Sequence, residues 1–108
     1  GTPTYARDLA EICMNFFVNE YFVDDSKRSD IFHYSNSGCT TWFEFAKEIK
    51  KLSGFNSKIV PATSENFLTK AKRPKYSVLD TSKIKKISNC KIPNWDESLS
   101  KCLSINNN

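Results

Sequence analysis

Apolar residues recur at helical spacing in three separate stretches of this chain, whereas its β-prone runs are four residues or shorter. Leu9, Ile12, Cys13, Phe16 and Phe17 lie at i, i+3, i+4, i+7 and i+8, which predicts a helix from about Thr4 to Tyr21. Pro3 stands just before it and Asp8 near its positive end. Trp42, Phe45, Ala46, Ile49 and Leu52 predict a second amphipathic helix. Thr41-Trp42-Phe43-Glu44 reads as its capping box, the hydroxyl taking an amide while the Glu reaches back, and Gly54 reads as its C′ residue. Trp95, Leu99, Cys102 and Leu103 form the apolar face of a last helix, capped by Asn94 with Glu97 three residues on. A short helix running from Asp80 as N-cap through Ile87 precedes it.

The β-prone runs are Ile31-Phe32-His33-Tyr34, closed by the turn cluster Ser35-Asn36-Ser37-Gly38, and Lys58-Ile59-Val60-Pro61. Ser77-Val78-Leu79 is a third, shorter extended piece. Strands so few and so short rarely make a sheet of their own. The expected fold is therefore a small, helix-rich α/β or α+β module whose two or three short strands belong to a larger sheet supplied by other chain. Asp24 to Asp30 reads as a charged surface turn. Ala62 to Tyr76 has no periodicity and reads as one extended loop, a feature that in a small domain usually serves function or motion.

At 108 residues the chain fits one domain, and 39% apolar with 13% aromatic residues is enough for a core, which excludes wholesale disorder. No apolar run approaches a membrane span. The chain begins Gly-Thr-Pro-Thr-Tyr, without an initiator Met, a basic n-region or an apolar h-region. The expectations are no signal peptide, a cytoplasmic location, and a piece of something longer.

The net charge of +4 is unevenly spread. Between Leu68 and Lys86 stand seven basic residues (Lys70, Lys72, Arg73, Lys75, Lys83, Lys85 and Lys86) and one acid, Asp80. That local field suits a phosphate-bearing partner, although a solvated basic surface has the same composition. Cys13, Cys39, Cys90 and Cys102 include no CxxC pair, and the single His33 lies near none of them, so no metal site is expected. Cys13 and Cys102 are expected on apolar helix faces. His33, among aromatics, reads as structural rather than as a catalytic base.

Catalytic machinery is not visible. Gly1, Gly38 and Gly54 are all far apart, so neither a dinucleotide turn nor a P-loop can be built. Leu9, Asp25, Gly38 and Asp80 follow the four tyrosines at the fourth position, so no Tyr-x-x-x-Lys pair exists. No nucleophile elbow is present. What remains is the loop from Thr63 to Asp80, with cations, hydroxyls and aromatics. Arg is the best bidentate partner for a diphosphate, and Pro74 restricts Arg73 to extended backbone.

Four ordered segments carry a resemblance. Gly1-Thr-Pro-Thr-Tyr-Ala-Arg-Asp-Leu-Ala10 is similar to G-x-P-T-x-x-x-D-L-A. Phe32-His33-Tyr34, Gly38 and Thr41-Trp42-Phe43-Glu44-Phe45-Ala46 are similar to Y-H followed by G-x-x-S/T-W-Y/F-E-F-A. Ala71-Lys72-Arg73-Pro74 and Ser77-Val78-Leu79-Asp80-Thr81-Ser82-Lys83 are similar to A-x-R-P-x-x-S-x-L-D-x-x-K, and Pro93-Asn94-Trp95 with Leu99 to P-x-W-x-x-x-L. Together they resemble the C-terminal part of the dTDP-4-dehydrorhamnose reductases, extended short-chain dehydrogenase/reductases, over nearly the whole chain. Leu68-Thr69-Lys70-Ala71 departs from that family's Pro-Thr-Pro-Ala by losing both prolines.

The resemblance implies that residues 1–108 are a substrate-binding part, without the Rossmann domain. The parent would reduce dTDP-4-dehydro-L-rhamnose to dTDP-L-rhamnose in nucleotide-sugar biosynthesis, with NADPH or NADH bound by the absent domain. This chain alone would then hold no cofactor, no metal and no catalytic residue, and would be inactive. Arg73 is implied as the diphosphate ligand, with Lys72 in support and Ser77 and Thr63 as substrate-binding neighbours. Asp8, Trp42 and Asp80 match motifs but read as structural, at a helix start, in the core and at a cap. The implied partners are the dTDP-sugar, the Rossmann domain and a second copy in a homodimer, with no nucleic acid and no membrane. The alternatives are a related sugar-nucleotide reductase or epimerase, a non-catalytic homologue such as the regulatory subunit of methionine adenosyltransferase, and, from another class, a small basic nucleic-acid-binding module.

Overall fold

The computed structural model describes residues 1–21, 29–66 and 70–106. Residues 24–28 of the charged turn read at Asp24 to Asp30 lie outside them, as do Leu68 and Thr69 of the departure noted above.

The first helix, α1 (Ala6–Ile12), continues into a π-helical stretch, Cys13–Tyr21. The i→i+5 repeat of a π-turn brings residues five apart onto one face, and the Phe16 and Tyr21 rings stand 5.6 Å apart. Ile12 and Phe16 are buried with Ile84 and Ile92, and Phe17, Tyr21, Phe32, Tyr34 and Cys90 pack around them. Leu9 is 40% exposed and Cys13 is exposed, so the predicted apolar face is only partly covered.

Helix α2 (Trp42–Ser53) forms where its signals place it. Thr41 Oγ1 accepts from the Glu44 N–H at 3.2 Å, and Gly54 closes the helix at φ +71°. The Glu44 carboxylate does not reach back; it pairs with Lys47 Nζ at 3.1 Å, so only half of the expected box is made. Trp42, expected in the core, is 76% exposed and meets Phe45 edge to face, which in turn packs on Trp95.

Helix α3 (Ser82–Ser88) begins one residue later than expected. Asp80 Oδ1 accepts from the Ser82 N–H at 2.9 Å, a bond that holds its carboxyl below the usual range. Ile84 is the buried anchor of this helix. Lys83 donates to Asp30 Oδ1 and to the Ile31 carbonyl, and its ammonium lies 4.7 Å from the centre of the Phe32 ring. The Lys83 hydrogen bond lowers the Asp30 carboxyl. Helix α4 (Trp95–Asn106) packs against α2 and buries Ser98 and Leu99.

The expected short strands are absent among the described residues, and the chain is a helical assembly rather than an α/β unit. Residues 31–34 keep the period-two pattern, with Phe32 and Tyr34 turned to the core and Ile31 and His33 exposed, but no neighbour supplies a ladder. Residues 58–61 and 77–79 likewise form no ladder. An isolated bridge, Ser37 to Asn94, is held by Ser37 N–H to the Pro93 carbonyl and Trp95 N–H to the Ser37 carbonyl, at 2.9 and 3.1 Å. The radius of gyration is 17.1 Å, against about 13 Å for a compact domain of this size.

Candidate functional site

The loop carrying the four candidate residues runs from the end of α2 to α3 and contains one short 3₁₀ turn, Ser64–Asn66. Thr63 is fixed by its carbonyl, which accepts from the Asn66 N–H at 3.0 Å, while its side chain is exposed. Lys72, Arg73 and Ser77 are exposed as well. Among the described residues no hydrogen bond or ion pair engages the Lys72 or Arg73 side chain. The same holds for Lys70 and Lys75, whereas Lys83 is committed to Asp30. The cationic potential therefore concentrates at residues 70–75, around Pro74 and just before Ser77, with no ion-pair partner among the described residues.

Ser77 is the best-placed of the four. Its Oγ lies 3.0 Å from where a Cβ on Gly1 would stand, so it rests directly on the start of the chain. Gly1 in turn pairs with Thr40, whose N–H donates to the Gly1 carbonyl at 3.1 Å, and Thr2 Oγ1 donates to the Gly38 carbonyl at 2.7 Å. Thr63 is not joined to the other three by any hydrogen bond among the described residues. A cavity of about 250 Å³ beside α1, lined by Asp8, Glu11, Tyr34 and Lys91 among others, includes none of the four. Burial, with the Asp8 and Glu11 carboxylates adding to it, pushes the Tyr34 phenol up to about 12.

Sequence reasoning missed a polar cluster beneath this segment. Asp8, Asn36 and Ser98 are all buried and mutually bonded: Asn36 Nδ2 donates to Asp8 Oδ2 at 2.7 Å and to Ser98 Oγ at 2.9 Å, and the Ser98 hydroxyl donates to the same Asp8 oxygen. The turn cluster at residues 35–38 is thus half interior, with Ser35 and Asn36 buried. The available signal was Asp8 and Gly38 sharing one ordered set of motifs, which marks both segments without pairing them.

Among the described residues no group of His, Cys, Asp and Glu is placed to hold a metal ion, and no helix is long and apolar enough to cross a membrane.

Comparison with known proteins takes in the whole of this arrangement. The RmlD substrate-binding domain family matches residues 1–107. The chain is 37% identical over 99 residues to the spore coat polysaccharide biosynthesis protein SpsK of Bacillus subtilis, covering 92% of this chain and 32% of that protein. A crystal structure of a dTDP-4-dehydrorhamnose reductase from Clostridium acetobutylicum superposes with a TM-score of 0.82 at 34% identity, over 100% of this chain and 36% of that one. A second, the Bacillus anthracis dTDP-4-dehydrorhamnose reductase in complex with NADP, gives 0.77 at 30% identity, over 94% and 33%. The chain spans about a third of the length of these relatives. With the family match running through the helices, the basic loop and the buried polar cluster alike, this chain belongs to the RmlD substrate-binding domain family.

Proposed function

We propose that this chain is the sugar-nucleotide-binding part of a longer reductase that converts dTDP-4-dehydro-L-rhamnose to dTDP-L-rhamnose with NADPH or NADH. The reading is carried by the cations at Lys72 and Arg73, without an ion-pair partner among the described residues and set beside Pro74 in a chain of this family. In it, the Arg73 guanidinium grips the substrate diphosphate with two parallel charged hydrogen bonds, and Lys72 adds a second positive charge. The hydroxyls of Ser77 and Thr63 supply neutral donors at the edge of the same loop.

The nicotinamide cofactor does not fit the residues present. A dinucleotide needs a glycine-rich turn between a strand and a helix, and this chain has neither close glycines nor, among the described residues, a strand. Cofactor binding and hydride chemistry are assigned to the remainder of the parent, and this chain's work is to bind and orient. The loop's exposure and the open shape of the molecule support that division, because a site built by one such loop needs a facing wall.

The test is Arg73→Ala in the full-length protein. KM for dTDP-4-dehydro-L-rhamnose is expected to rise about ten- to a hundredfold, the loss of a charged hydrogen bond worth about 1.5–3 kcal/mol, with KM for the nicotinamide cofactor unchanged. An unaltered sugar-nucleotide KM removes Arg73 from the site.

A further inference from the structure

One buried amide, Asn36, joins four segments of this fold by hydrogen bonds, and the binding chemistry above does not use it. Asn36 is 2% exposed. Its Oδ1 accepts from the Tyr5 N–H at 2.8 Å, and its two Nδ2 hydrogens are shared among Asp8 Oδ2, Ser98 Oγ and, at 3.2 Å, the Pro93 carbonyl. One side chain thereby ties together the segment entering α1, α1 itself, the residue before Asn94, and α4. A carboxylate could not donate to Asp8, and an apolar side chain could neither donate nor accept, so the position calls for an amide. Without Asn36 the buried Asp8 carboxylate would keep only the Ser98 hydroxyl, and the half-buried Tyr5 N–H would lose its partner, each at a cost in desolvation.

We propose that Asn36 is a positioning residue for the sugar-nucleotide loop, acting by clamping residues 1–5 against residues 36–40. The inference rests on the function proposed above for the loop. The route is explicit. Asn36 fixes the Tyr5 N–H; Thr2 and Gly1 then bond Gly38 and Thr40; and Ser77, four residues after Arg73, rests on Gly1. Releasing Tyr5 frees the platform under Ser77 while Thr41, which caps α2, keeps its own bond to Glu44.

Two variants of the full-length protein test it. Asn36→Ala removes the whole clamp. Tyr5→Pro deletes the N–H that Asn36 accepts together with the Tyr5 ring, at a φ of −76° within reach of proline, and leaves the contacts among Asp8, Asn36 and Ser98 in place; Tyr5→Ala, which loses the ring but keeps the N–H, is its control and is expected to behave as wild type. Without substrate, Asn36→Ala and Tyr5→Pro are both expected to speed hydrogen exchange at the Thr40 amide about tenfold or more, with α2 amides unchanged. With substrate, both are expected to raise the sugar-nucleotide KM about tenfold while kcat and the cofactor KM hold. Unchanged Thr40 exchange in Tyr5→Pro overturns the clamp, as does a uniform rise across all helices in both variants. A wild-type protein that fails to bind dTDP, whatever its exchange pattern, overturns the functional reading and with it the role given to the clamp. Altered exchange with an unaltered KM overturns the positioning role alone.

Discussion

Gly38 stands so close to Asn94 that a Cβ on Gly38 would overlap Asn94 Oδ1 and lie 3.0 Å from Trp95 Cδ1. At φ +88° Gly38 also occupies the left-handed region. Asn94 Oδ1 gives way only by losing the bond it accepts from the Trp95 N–H at the start of α4. The left-handed penalty and the overpacking together predict that Gly38→Ala costs about 2–4 kcal/mol. Urea unfolding should show the loss as a lower midpoint at unchanged slope.

Thr41 gives a smaller, local prediction. Its hydroxyl takes one otherwise unpaired amide of α2, that of Glu44. Thr41→Ala should destabilise by about 1 kcal/mol and Thr41→Ser by much less, read from thermal or urea unfolding. Equal losses in the two variants would show that the hydroxyl is not what stabilises the helix start.

Tyr34 predicts how stability responds to alkali. Its phenol is raised from 10.0 to about 12, chiefly by burial and then by Asp8 and Glu11. Between those values the unfolded chain releases a proton that the folded chain keeps, so stability intact below pH 10 falls as pH rises toward 12. Tyr34→Phe abolishes that proton difference. Its unfolding free energy should therefore decline less than that of the wild type across this window, and one phenol fewer should titrate at the high end. Parallel declines would contradict the assignment.

The bounds of helix α2 were legible in the sequence, because its start and stop are decided by contacts within a few residues: Thr41 with Glu44, and Gly54 at the end. The same locality explains the Phe16 and Ile12 face of the first helix, and Asp80 beside α3. The family was legible too, since four motifs in order survive translation into any fold. The loop with Arg73 was marked by its charge, which composition alone reports.

Other features depended on distant partners. Residues 31–34 alternate as a strand would, yet a strand is a relation between two chains of amides, and no second one lies beside them among the described residues. Trp42 has the composition of a core residue but stands 76% exposed, because burial needs a facing surface. Asn36 has the composition of a turn residue but is interior, because Asp8 and Ser98, 28 and 62 positions away, converge on it. The sequence by itself determined the helices and the family, since both are written in short-range spacing and ordered motifs. Only the tertiary structure decided which polar groups are buried, which aromatics are bare, and that Ser77 rests on Gly1, since each is a contact between segments whose separation along the chain carries no local signal.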